Sequence, residues 1–130
     1  MSSRAAAIIA SIAGILAVAL GAFAAHALRG QLTADHLVTW RTAVDYQFWH
    51  ALALFGVSIW MRQLSASGRP DEQPLAIAAI AFSVGMLLFC GSLYALAIGA
   101  SRGFGIITPF GGVALIIGWA SMLITAWRDR

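Results

Sequence analysis

Four apolar runs separated by short polar stretches set the rhythm of this chain. The first, residues 5–28, lies between Arg4 and Arg29 and carries no formal charge. At 1.5 Å per residue it reaches roughly 36 Å, enough to cross a hydrocarbon core of about 30 Å with some tilt. Its closing stretch, LGAFAAHAL, contains two small-x-small triplets of the kind a signal peptidase cuts, Ala22-Phe23-Ala24 and Ala25-His26-Ala27. The run is nevertheless longer than the roughly 7–15 residue core of a signal peptide. Small residues also recur in steps of three and four at Ala7, Ala10, Gly14, Ala17, Gly21 and Ala24. Such a seam lets a neighbouring helix approach closely, which is how membrane helices associate without a hydrophobic driving force. The expectation is a retained membrane helix.

The polar connection Arg29–Arg41 follows. Gly30 is placed to end the first helix, and Thr33 or Asp35 to cap what comes next. Leu32, Leu37, Trp40 and Val44 fall near one helical face, which predicts a short interfacial helix or an extension of the second span. That second span is expected at about residues 42–61, with Asp45, Gln47 and His50 interrupting its start. The segment RQLSASGRPDEQP, Arg62–Pro74, reads as a hydrophilic loop. A third span is expected at about 75–100, and a fourth at 108–127, with Thr108 as N-cap and Pro109 in the first helical position.

Composition agrees with this pattern. Hydrophobic residues make up 61% of the chain and charged residues only 10%, where a soluble domain carries about a quarter charged. The net charge of +3 comes from single arginines at the ends of apolar runs. That is a membrane pattern, and no basic cluster points to nucleic acid. The lone Cys90 excludes an intrachain disulfide. With four spans, Arg4, Arg62, Arg69, Arg128 and Arg130 share one side, and Arg29, Arg41 and Arg102 the other. The richer side, with both termini, is expected in the cytoplasm. Trp60 and Trp127 near one boundary and Trp40 near the other suit interfacial anchors.

Depth along the spans gathers the polar residues into one layer, expected in the outer leaflet. His26 closes the first span, and Asp45, Tyr46, Gln47 and His50 open the second. Cys90, Ser92 and Tyr94 lie late in the third, and Thr108 starts the fourth. At 100° per residue Tyr46, Gln47 and His50 share an arc of about 100° and face one interior. Asp45 points about 140° away from His50, and is expected to pair with Arg41, one turn earlier. Two histidines on different helices invite a haem or metal reading. There is no HExxH, no paired carboxylate and no Glu-x-x-His, so hydrogen-bonded interior residues are expected, with no cofactor or metal. No nucleophile–base spacing, phosphate loop or cofactor motif is present, and an enzyme is the least favoured class.

Four stretches together, LGAFAAHAL, WRTAVDYQFWHALALF, LLFCGSLYALAI and GIITPFGGVALIIGW, resemble the YgdD/YwdK family of small integral membrane proteins. They fall in order, one per span. The positions that match are Gly21, His26, Ala43, Tyr46, Gln47, His50, Gly91, Ser92, Tyr94, Thr108, Pro109, Gly111 and Gly112. Ala24 and Cys90 depart from the pattern, standing where glycine and serine are common. The resemblance implies four membrane helices and, in bacteria, the inner membrane, but no established activity.

The chain is therefore expected to be an all-α integral membrane four-helix bundle. Its candidate polar layer is His26, Asp45, Tyr46, Gln47, His50, Ser92, Tyr94 and Thr108. The favoured role is that of a non-catalytic accessory or scaffold protein, with the lipid bilayer, another membrane protein or a second copy as partners. The alternative is binding or transport of a small molecule, ion or proton through that layer.

Overall fold

The computed structural model describes residues 1–68 and 73–128. It contains α1 (Ser3–His26), α2 (Ala34–Ala66), α3 (Gln73–Ala97) and α4 (Phe104–Arg128), and no strand among the described residues. The protein is an all-α membrane four-helix bundle. Helices α1, α3 and α4 are long and apolar enough to cross a membrane. The expected Arg62–Pro74 loop falls partly on residues 69–72, outside the described residues; α2 continues to Ala66 on one side of it and α3 starts at Gln73 on the other. Arg130 is likewise outside them.

Local chemistry explains most helix ends. Ser2 caps α1, its Oγ accepting from the Ala5 N–H at 3.2 Å, and Thr33 caps α2 by accepting from the His36 N–H at 3.3 Å. Glycines with positive φ follow α1, α2 and α3: Gly30, Gly68 and Gly99. The polar connection after α1 is short because α2 begins at Ala34, so the segment through Arg41 is an extension of that helix. With 33 residues, α2 runs about 50 Å and outreaches a hydrocarbon core of about 30 Å. At the other end of the chain, α4 begins at Phe104 rather than at Thr108. Thr108 is thus not its N-cap, and Pro109 lies inside the helix. Proline offers no N–H to the Gly105 carbonyl one turn back, and glycine there leaves the ring the most room.

The helices pack in chain order, α1 on α2, α2 on α3 and α3 on α4. Most of the small-residue seam of α1 lies in the first interface: Ala10, Ala17 and Ala24 are buried, and a Cβ at Gly21 would press on Val44, whereas Gly14 lines a groove with nothing within 4 Å of where its Cβ would stand. Between α3 and α4 the approach depends on three glycines. A Cβ at Gly111 would run into the backbone of Phe89, one at Gly118 into the ring of Phe82, and one at Gly85 into Leu115. Leu54, Val57, Met61, Leu75 and Phe82 are fully buried at the centre. A second cluster of Ala24, Leu28, Trp40 and Ala97 closes the end near the α1–α2 connection. Outward, Ile15, Leu87 and Ile116 are 69%, 73% and 69% exposed. Such a surface is a liability in water and the ordinary one against lipid.

Candidate functional site

The polar residues of α2 sit on the face that its helical phase predicts. Gln47 and His50 are buried, Tyr46 is half-buried and Asp45 is exposed. The Gln47 amide bridges three helices. Its Nε2 donates to the Ala13 carbonyl of α1 at 2.9 Å, and its Oε1 accepts from the Tyr94 hydroxyl of α3, also at 2.9 Å. One turn deeper, the indole Nε1 of Trp119 in α4 donates to His50 Nε2 at 3.3 Å. The other ring nitrogen of His50, Nδ1, lies 2.7 Å from the Tyr46 carbonyl. Because Nε2 accepts, the proton sits on Nδ1, and the imidazole is neutral with both nitrogens engaged. Between α3 and α4, the hydroxyls of Ser92 and Thr108 meet at 2.7 Å.

Aromatic rings wall these contacts. Tyr46 stacks on Phe89 with centroids 4.7 Å apart. Phe82 meets Trp119 edge to face at 5.4 Å, and His50 contacts Tyr46, Phe82 and Trp119. Toward the α1–α2 connection, Trp40 packs edge-on against Tyr94 at 4.7 Å, and its indole donates to the Leu20 carbonyl at 3.0 Å.

Of the candidate residues, Tyr46, Gln47, His50, Ser92, Tyr94 and Thr108 therefore enter linked contacts, and two do not. His26 is exposed in the last turn of α1, far along the bundle from buried His50, so the two imidazoles do not converge. Asp45 and Arg41 are both exposed, and the ion pair expected between them is not formed. Among the described residues no three His, Cys, Asp or Glu side chains gather in a metal-ligand cluster. The contacts also reach beyond the candidate residues, to Ala13 near the middle of α1 and Trp119 beyond the middle of α4.

Trp119 carries no polar signature in the sequence beyond its place within an apolar run. That place is itself a signal, because an indole N–H in hydrocarbon needs an acceptor. Trp40 is a correction: it is buried and holds α1, rather than anchoring at an interface. The Ala13 and Leu20 carbonyls have no sequence signal at all.

Two of these polar side chains, Gln47 and Tyr94, line a groove. Between α1 and α3 lies an open groove of about 360 Å³, with Ile9, Ala13 and Leu16 on one wall and Met86, Gly91 and Tyr94 on the other, and Gln47 at its floor. A family model described as protein of unknown function, DUF423, matches residues 20–112. The chain belongs to this family. The UPF0382 membrane protein YwdK of Bacillus subtilis is 40% identical over 92% of this chain and 93% of its own length. The UPF0382 inner membrane protein YgdD of Escherichia coli K12 is 38% identical over 98% of this chain and 93% of its own. A UPF0382 membrane protein of Haemophilus influenzae is 37% identical over 92% of the chain. No solved structure matches the fold. These relatives agree with the resemblance carried by the four motifs, and their names specify membrane location without an activity.

Proposed function

We propose that this family member is a non-catalytic accessory or scaffold protein of the bacterial inner membrane, crossing it four times with both termini in the cytoplasm. The observation that carries the non-catalytic reading is the use of the buried polar side chains as bridges from one helix to the next. Gln47, His50, Tyr94, Trp40 and Trp119 each end on a partner within the bundle. Among the described residues no buried side-chain nitrogen or oxygen lacks a hydrogen bond. Polar groups that each reach across to another helix clamp the bundle together, whereas a relay for protons or ions needs ionisable groups in series.

Helix α2 is the least apolar of the four. Its crossing is supported by its place between α1 and α3, both apolar enough to span, and by the inward direction of Gln47 and His50. The arginine bias supports the orientation, and the name of the Escherichia coli relative supports the inner membrane. The outward apolar faces suit lipid and the helices of a second copy or another membrane protein.

Reconstitution into proteoliposomes tests the reading. The protein is expected to pass protons and small cations no faster than empty vesicles, and to leave mild detergent with a defined membrane-protein partner or as an oligomer. Flux that is lost in a folded His50→Ala or Tyr94→Phe variant would replace this reading with transport.

A further inference from the structure

We infer that the groove between α1 and α3 binds a membrane-soluble molecule with an apolar body and an acceptor oxygen, the chemistry of a long-chain ketone or a quinone. This goes beyond the scaffold reading and does not require it.

Three observations converge on the groove. The first is Gln47 itself, 8% exposed and at the groove floor. A carboxamide nitrogen carries two hydrogens, and Nε2 spends one on the Ala13 carbonyl. Its second hydrogen has no acceptor among the described residues. With α1 crossing the membrane as proposed, Ala13 near its middle puts this donor within the hydrocarbon, where a buried polar group is costly when unpaired. The Tyr94 oxygen beside it donates to Gln47 and retains a free lone pair.

The second observation is Gly91. The other α3 glycine, Gly85, is explained by its close approach to Leu115, but a Cβ on Gly91 would meet nothing within 4 Å. Glycine within a helix costs stability relative to alanine, and helix packing gives nothing back here. What Gly91 does is leave the groove wall open.

The third is shape. About 360 Å³ falls at the lower end of the roughly 300–1,000 Å³ range of small-molecule sites, which are mostly apolar with a few placed polar groups. The rims carry Ile12 and Leu87, 52% and 73% exposed, so the groove opens sideways to lipid. Phospholipid ester carbonyls lie near the interface, about 15 Å from the midplane of a 30 Å core. They do not reach Gln47, which favours a molecule dissolved within the hydrocarbon. A second groove, of about 590 Å³, runs between α1 and α2. Its one hydroxyl, on Ser11, is already spent on the Ala7 carbonyl, so nothing there selects an occupant.

The test compares 2-tridecanone with tridecane as additives during thermal unfolding of the full chain in detergent. The ketone is expected to raise the midpoint by several degrees and the hydrocarbon to leave it nearly unchanged. Gly91→Leu, which fills the groove into open space, is expected to abolish the ketone shift without lowering the unliganded midpoint. Gln47→Leu is expected to remove the advantage of ketone over hydrocarbon. Equal shifts for the two additives in the unmodified protein would overturn the acceptor-oxygen assignment in favour of a plain acyl-chain groove. A ketone shift that survives Gly91→Leu would move the site elsewhere. If neither additive shifts the midpoint, the groove is not a small-molecule site and is left to a second helix.

Discussion

Gln47 and Tyr94 are joined by a 2.9 Å hydrogen bond across the α2–α3 interface, and the same amide holds α1 through the Ala13 carbonyl. One side chain thus ties three helices. Removing the hydroxyl with Tyr94→Phe leaves the ring packing on Trp40 in place and strands the Gln47 oxygen. Interhelical hydrogen bonds in membrane proteins are worth about 0.6 kcal/mol on average and up to about 1.7. A loss of about 1–2 kcal/mol is expected, because a buried acceptor is left unpaired as well. Reversible unfolding in mixed detergent micelles measures it, and an unchanged free energy would show that Tyr94 contributes packing alone.

His50 is held between two opposed demands, an indole N–H that needs an acceptor and a carbonyl that needs a donor. Only the neutral tautomer protonated at Nδ1 meets both. Nitrogen NMR of ring-labelled protein in bilayers is expected to show Nε2 as the unprotonated nitrogen. A proton on Nε2 would mean that Trp119 does not donate to it.

The glycines of α3 and α4 separate by what faces them. Gly111→Ala places a methyl group against the Phe89 backbone, which cannot move aside as a side chain can. Overpacking of this kind costs about 1–3 kcal/mol, and low yield or loss of the folded fraction is expected. Gly91→Ala enters open space and is expected to gain up to about 1 kcal/mol from helix propensity. Parallel unfolding curves distinguish the two, and similar effects at both positions would contradict the α3–α4 register.

Because Ala13 and Leu20 supply acceptors to Gln47 and Trp40, cleavage after Ala24 or Ala27 would strip partners from both. The protein isolated from membranes is expected to retain α1, as read by N-terminal sequencing or intact mass. A mature chain starting after either alanine would remove the first helix from the functional bundle.

Cysteine labelling addresses the crossing of α2. In a Cys90→Ser background, Ser101→Cys is expected to react with an impermeant maleimide on intact cells. Ser2→Cys and Ser67→Cys are expected to react only after permeabilisation. Positions 2 and 67 on opposite sides would mean that α2 does not cross, and all three reversed would invert the protein.

Much of this architecture is legible in the pattern of side chains. Apolar runs of span length separated by arginines require helices in a membrane, because backbone groups in lipid must be satisfied within their own segment. Helical phase alone turns Gln47 and His50 to one side and Asp45 away from them. The Thr33 cap and the packing positions Ala10, Ala17 and Ala24 are equally local. These features depend on neighbours a turn or less apart, so the order of residues is sufficient to determine them.

Only the tertiary structure decided who partners whom. Trp40 reads as an interfacial anchor until the Leu20 carbonyl lies 3.0 Å from its indole. Thr108 and Pro109 read as a helix start, yet α4 begins four residues earlier and Thr108 meets Ser92 across the interface. The acceptors at Ala13 and Leu20 are backbone atoms, identical in every residue, and become special only through the relative height of two helices. That height is set by close packing along whole interfaces, at Gly85, Gly111 and Gly118 on one side of the bundle and along the alanine seam on the other. Sequence therefore determined the helices and the faces they turn inward, while interface packing determined the register that makes a bridge of Gln47, a neutral acceptor of His50 and an open groove beside Gly91.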